Sequence, residues 1–286
     1  MGPVRTVNKR VVGQKTRDGA GVRLTRVLSI RDTKLFDPFL MLDFFDSTRP
    51  EDYQAGFPWH PHRGIETVTF LAEGLIEHGD SLGNSGVIGS GDCQWMTAGG
   101  GIIHQEMPKP AKRMFGVQLW VNLPASRKMM TPQYRDLRRE DIPVVSNRSG
   151  EGTVRVIAGS YGGVQGPARH VGVNTCMLEV QLPADAHFEL EIPAQATVFA
   201  FLQEGSALFE GDAGPVDVPP VAVLFGEGSI IRCKAGPDGA RMLILAGDPL
   251  HEPIAWRGPI VMNTEAELDE AFSELEAGTF LKSGNR

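Results

Sequence analysis

Apolar residues in this chain come in short runs, broken by glycine, proline or small polar residues, and this pattern predicts strands and tight turns. Thr67-Val68-Thr69-Phe70-Leu71-Ala72-Glu73-Gly74 is one such run, and Val198-Phe199-Ala200-Phe201-Leu202-Gln203-Glu204-Gly205 repeats its form in the second half. Gly99-Gly100-Gly101-Ile102-Ile103-His104 is echoed in the same order by Gly226-Glu227-Gly228-Ser229-Ile230-Ile231. The reading is an all-β chain of two β-barrels with similar topology, residues 1–130 and 131–286, joined through the polar stretch from Arg127 to Gly150. One segment has the helical period instead. Thr264 and Glu267 form a capping box, Leu268, Ala271, Phe272 and Leu275 form an apolar stripe, and Gly278 supplies the stop. The stripe is short, which predicts a helix packed on a barrel rather than one that docks a partner.

Composition fits this picture and removes some functions. Glycine (34) and proline (20) are abundant, as turn-rich β structure requires. The net charge is −7, so no basic field is present to attract nucleic acid. Cys93, Cys176 and Cys233 are odd in number and widely spaced, which argues for a reducing, cytoplasmic setting over a disulfide framework. The first 26 residues carry several Lys and Arg without a continuous apolar core, unlike a secretory signal, and no run is long enough for a membrane span.

The candidate chemistry lies in two short pairs, His60-Pro61-His62 and His104-Gln105-Glu106. Residues i and i+2 of a strand face the same side, so two converging strands can aim three imidazoles and a carboxylate at one point. A lone His-x-His in a glycine-rich segment is ordinarily surface decoration, and it is the second pair after a triple-glycine turn that makes a metal site the better reading. Such a donor set accepts Fe(II), Mn(II), Co(II), Ni(II), Cu(II) or Zn(II), and without a thiolate it is unlike a closed structural zinc site. Its open positions favour an anionic oxygen donor, and Glu106 is placed to take that donor's proton. Glu66 has the parity of His60 and His62, and stands as a competing ligand or as an orienter of a histidine. His78, in Glu77-His78-Gly79-Asp80-Ser81, reads as part of a polar turn, solvated or just behind the ligands. Phe57, Trp59, Phe115 and Trp120 are either an apolar wall near the metal or ordinary core, and Trp95 and Met96 read as barrel filling. Carried across the echo, His60 and His62 fall near Glu191 and Pro193, and His104 and Glu106 near Ile231 and Cys233. The second half therefore lacks the donor set, and its histidines His170, His187 and His251 are dispersed.

The stretch His60-Pro61-His62-Arg63-Gly64-Ile65-Glu66-Thr67-Val68-Thr69 resembles the first motif of the pirin family, within the cupin superfamily. Gly91 to Glu106 resembles the second, and the likeness continues through Gln118-Leu119-Trp120-Val121-Asn122-Leu123-Pro124 and Arg257 to Thr264. The resemblance implies a bicupin of two jelly-roll domains with one metal, usually iron, held in the N-terminal domain by His60, His62, His104 and Glu106. It leaves Glu66 behind the ligands. Phe44 and Gly100 depart from the pirin pattern, where an acidic residue and an arginine are common, and both bear on the pocket lining.

Two functions follow as expectations. Some pirin-like proteins resemble quercetin 2,3-dioxygenases, which implies oxygenation of a small aromatic anion of flavonol type by O2, with Glu106 as base. Others bind a partner protein without catalysis, in one picture as redox-responsive regulators. A metal-binding barrel that handles another small metabolite is the third, plainer reading.

Overall fold

The computed structural model describes residues 2–168, 172–217 and 219–282, so His170 lies outside the described residues. The chain is almost entirely β, with one substantial helix, Glu265–Glu276, at its C-terminal end. Two similar sandwiches of opposed antiparallel sheet are formed, open-edged rather than closed as barrels.

The N-terminal sandwich has a seven-stranded sheet in the order Gln133–Leu137, Cys93–Thr97, Ile65–Glu73, Met114–Asn122, Phe39–Ser47, Val22–Leu28, Gln14–Asp18. Facing it is a four-stranded sheet in the order Phe57–His62, Ile102–Pro108, Leu75–Asp80, Ser85–Gly89. The alternation of side chains along each strand divides the larger sheet's residues between two faces. Val68, Phe70, Trp95, Val117 and Leu119 point outward and join Phe199, Phe201, Leu243 and Leu245 of the second half in one continuous core. Their in-between neighbours Thr67, Thr69, Gln94, Gln118 and Trp120 point into the N-terminal sandwich.

The second half is built on two long strands, Thr197–Phe209 and Ile230–Gly247, whose pairing shifts register between Leu202 and Glu204 and again between Gly205 and Ala207. Such bulges bend a sheet, and beyond them the strand His187–Glu191 pairs with the first half of Ile230–Gly247. This pair corresponds to the two metal-candidate strands. Leu190 lies opposite Ile231 and Phe188 opposite Cys233, all four buried in the hydrocarbon core of this sandwich. The inward positions fall one residue earlier on the first strand than the sequence echo places them, and they hold only apolar side chains and a thiol.

The termini cross between the halves. Val7–Val12 pairs with Val221–Phe225 at the edge of the second sheet. The hairpin of Ala255–Arg257 and Ile260–Met262 returns to the N-terminal sandwich, where Ile260 bridges to Arg63. The C-terminal helix follows. Its capping box is formed, with the Thr264 and Glu267 backbone N–H groups each bonded to the other's side chain. Leu268 and Ala271 are buried with Ile260, Met262 and Phe280, packed against Ile103 of a metal-candidate strand.

Candidate metal centre

His60 and His62 end the strand Phe57–His62, and His104 lies directly across from His60 on Ile102–Pro108. Both strands show their even-numbered residues to the sandwich interior, so three rings converge, with centroids 4.4 Å (His60–His104), 4.8 Å (His60–His62) and 5.1 Å (His62–His104) apart. One nitrogen from each ring lies within 4.8 Å of the others.

Backbone carbonyls set the tautomers. His60 Nδ1 is 2.9 Å from the Pro58 carbonyl and His62 Nδ1 is 3.0 Å from the Pro259 carbonyl. A carbonyl only accepts, so each Nδ1 carries the proton and each Nε2 presents a lone pair. Those two Nε2 atoms face one another at 3.0 Å. Buried beside them, His104 Nε2 has no hydrogen-bond partner. Lone pairs converging without a donor repel unless a cation sits between them, so the residues fit a metal ion. Two of the imidazoles, His62 and His104, are also held neutral, as ligands must be. Burial, reinforced by His60, pushes His62 down to about 3, and burial with the neighbouring rings pushes His104 well below the usual histidine range.

Glu106 stands beside this group and is not one of the three residues in it. Burial raises its carboxyl above the usual range, with His60 and a bond from Thr69 opposing. Thr69 Oγ1 lies 2.8 Å from Glu106 Oε1 and 2.5 Å from the side-chain amide of Gln118. A single hydroxyl proton serves only one of these. The arrangement is satisfied when the Gln118 NH2 donates to Thr69 and Thr69 donates to Glu106. Gln118 thereby orients Thr69, and Thr69 orients the carboxylate.

Several side chains differ from their sequence-based places. Glu66 does not share a face with His60 and His62: the chain passes from one sheet to the other at Gly64 (φ 78°), which resets the alternation. Glu66 points to the interdomain side, where it accepts a 2.6 Å bond from Thr97. His78 is on the strand Leu75–Asp80 rather than in a turn, opposite Glu106, buried and stacked on Tyr134. Phe44 packs on Phe115 and Phe201 between the halves, and its neighbours Asp43 and Phe45 line the pocket instead. Gly100 lies against Met129, away from the pocket. Of the four aromatics, Phe57 and Trp120 line the cavity, Phe115 is interdomain core and Trp59 is 55% exposed.

The imidazoles open on a cavity of about 730 Å³ walled by Phe45, Phe57, Met41, Trp120 and Trp256, with Gln118 and the Asp18–Arg26–Asp43 group as its polar parts. Trp120 meets His62 edge-on at 5.0 Å. Sequence reasoning missed Pro259 and Trp256, which reach the site through the returning C-terminal hairpin, and missed Thr69, Gln118 and Asp43. Alternation along the strands carrying them was the signal that could have found the last three. Lys128 ties the hairpin in place: its buried side-chain nitrogen lies within hydrogen-bond distance of the carbonyls of Gly64 (2.9 Å) and Val261 (3.0 Å) and of Asn122 Oδ1 (2.7 Å).

Comparison with known proteins agrees with this architecture. The Pirin family model matches residues 21–121 and the Pirin C-terminal cupin domain model residues 177–281. A pirin-like protein of Caulobacter vibrioides is 46% identical over 280 residues, covering 97% of this chain and all of that one. Pirin of Homo sapiens is 38% identical, covering 95% of this chain and 92% of that one. The crystal structure of a quercetin 2,3-dioxygenase from Acinetobacter baumannii is similar with a TM-score of 0.89 at 31% identity, over 97% of this chain and 99% of that one. With both of its halves matched in order and full-length relatives at this identity, the chain belongs to the pirin family.

Proposed function

We propose that this protein is a mononuclear metal-dependent dioxygenase acting on a flavonol-like, quercetin-type substrate, with His60, His62, His104 and Glu106 as the ligands of one divalent ion. The observation that carries the proposal is the convergence of three imidazoles at the end of an aromatic-walled cavity. The likeness to a quercetin 2,3-dioxygenase over nearly the whole chain supports the choice of reaction. Iron is the expected metal, although the donor set also accepts Mn, Co, Ni, Cu and Zn. When bound, the ion supplies Lewis acidity toward the substrate's hydroxyl oxygen and, if redox-active, an electron path to O2.

The residues' own work follows from their placement. Phe57, Trp120 and Trp256 hold the planar rings and keep water away. Glu106, already biased toward holding a proton by burial, takes the hydroxyl proton at a carboxylate oxygen while Thr69 keeps it aimed. Both atoms of O2 enter the product at the two ring carbons that flank the hydroxyl-bearing carbon, the heterocycle opens, and that hydroxyl-bearing carbon leaves with its oxygen as carbon monoxide. Iron- or copper-loaded protein under O2 is expected to consume quercetin, seen as loss of flavonol absorbance with release of carbon monoxide. Confirmed metal binding with neither change rejects the proposal.

A further inference from the structure

The inner face of the seven-stranded sheet carries a straight line of polar side chains. Arg26, Asp43, Gln118, Thr69, Gln94 and Asp136 are successive cross-strand partners, one from each of six adjacent strands. On one side of the row Thr69 bonds to Glu106, Gln94 Nε2 to Tyr134 at 2.5 Å and Tyr134 to Asp136 at 2.7 Å, while Gln94 Oε1 is buried away from the cavity. On the other, Arg26 grips Asp43 through two bonds of 2.8 and 2.7 Å and reaches Asp18 at 2.6 Å.

Among the described residues no hydrogen bond joins Thr69 to Gln94 or Asp43 to Gln118, and of these two breaks in the row only the second opens on the cavity. Asp43 and Gln118 are register neighbours, and both line the cavity that begins at the imidazoles. Asp43 is 3% exposed and Gln118 8% exposed, so bulk water does not satisfy them freely. The two-pronged guanidinium contact uses one lone pair on each Asp43 oxygen and leaves the others. Gln118 engages Thr69 with one amide atom, and no bond among the described residues engages the other. One guanidinium faces two carboxylates here, so this end of the cavity carries a net negative charge.

We infer that Asp43, with Gln118 beside it, is a substrate-reading residue: it accepts a hydrogen bond from a hydroxyl on the ring far from the metal and rejects substrates whose far end is anionic. The inference rests on the flavonol-type reading above and narrows it to planar polyhydroxylated aromatics without a carboxylate, sulfate or phosphate tail. Scale agrees, since Asp43 stands two strands from Thr69, about 10 Å at the usual spacing of about 4.8 Å. That is the span of a two-ring system reaching from Glu106 to the far wall.

The test reads binding, not turnover. Full-length protein loaded with zinc is titrated with 3-hydroxyflavone and with its 4′-hydroxy and 4′-carboxy derivatives, following quenching of tryptophan fluorescence. The 4′-hydroxy compound is expected to bind about tenfold more tightly than the parent, and the 4′-carboxy compound at least about tenfold more weakly. In Asp43→Asn both differences should shrink to about twofold, with circular dichroism confirming the fold. The wild-type comparison alone decides the matter if that variant does not fold. Equal affinity of the wild type for all three compounds, or unchanged ratios in a folded Asp43→Asn, overturns the inference while leaving the flavonol reading intact. Failure of every compound to bind the zinc-loaded protein overturns both.

Discussion

A single buried atom, His104 Nε2, says most about the centre, because it is the ring nitrogen left without a partner after the carbonyls of Pro58 and Pro259 have fixed its two neighbours. His104→Ala should therefore bring metal content from one equivalent to below a tenth, measured by elemental analysis of protein as isolated. Glu66→Gln should leave it unchanged, because Glu66 faces Thr97 across the opposite side of the sheet. Metal loss in both variants would contradict this assignment of faces. Thr69→Val tests the support beneath Glu106. Removing the bond that aims a ligand typically lowers metal affinity by about 10- to 100-fold, and chelator competition should show a loss in that range if Glu106 ligates. An unchanged affinity would place Glu106 outside the ligand set. At this scale the sequence was readable wherever the geometry is local. His-x-His and His-x-Glu need only strand alternation to converge. Glu66 was misread because parity counted through Gly64 ignores the change of sheet, and Pro259 was invisible because its carbonyl arrives from a segment far along the chain.

Among the elements, the turn at Gly64 decides how the site is held. Its backbone has φ 78°, and a Cβ there would lie 1.9 Å from the Val261 carbonyl oxygen. Gly64→Ala should accordingly destabilise the protein by about 2–4 kcal/mol in chemical denaturation, combining a strained backbone with a clash. Lys128 ties the same turn to the hairpin, and burial lowers its pKa to about 7 from an ordinary 10.5. The unfolded chain thus holds the extra proton between pH 7 and 10.5, so this residue's contribution to stability is fully present above 10.5 and is lost as pH falls through 7. The difference in unfolding free energy between wild type and Lys128→Met should rise in the wild type's favour by up to about 1.4 kcal/mol per pH unit across that window. It should be flat below pH 7, and a flat difference throughout would rule out the lowered pKa. Element types were largely legible: the Glu-Gly turns, the strand runs and the Thr264–Glu267 box are each set by neighbours in sequence. The hairpin's return to the first sandwich was not, because the contacts that fix it, through Arg63, Lys128 and Ile103, join segments more than a hundred residues apart.

For the whole molecule, the governing feature is that the larger N-terminal sheet is buried on both faces, one by its own sandwich and the other by the second half. Phe199 meets Phe36 and Phe39 edge-on at 5.2 Å each, and Phe201 meets Phe44 at 5.4 Å, so the junction is an aromatic core rather than a wet interface. Exchanged termini add to the coupling, with Val7–Val12 at the edge of the second sheet and the C-terminal helix on the first sandwich. The second half thus serves the first as the surface that covers its outer face. Its own interior repeats the strand pair of the metal centre with Phe188, Leu190, Ile231 and Cys233 in place of donors, which makes it a packing partner by composition. If the two halves depend on each other in this way, they should unfold together. All four tryptophans, Trp59, Trp95, Trp120 and Trp256, lie in the N-terminal sandwich or in the hairpin packed on it and so report on that half, whereas far-ultraviolet circular dichroism reports on all strands. The two signals should trace one denaturant transition with a common midpoint in wild type. Phe199→Ala, which removes a fully buried ring from the shared core, should move both midpoints down together, with a loss of about 3–5 kcal/mol in unfolding free energy. Separation of the two curves in the wild type would show halves that are stable alone, and a shift confined to circular dichroism in Phe199→Ala would show that the junction does not support the metal-bearing sandwich.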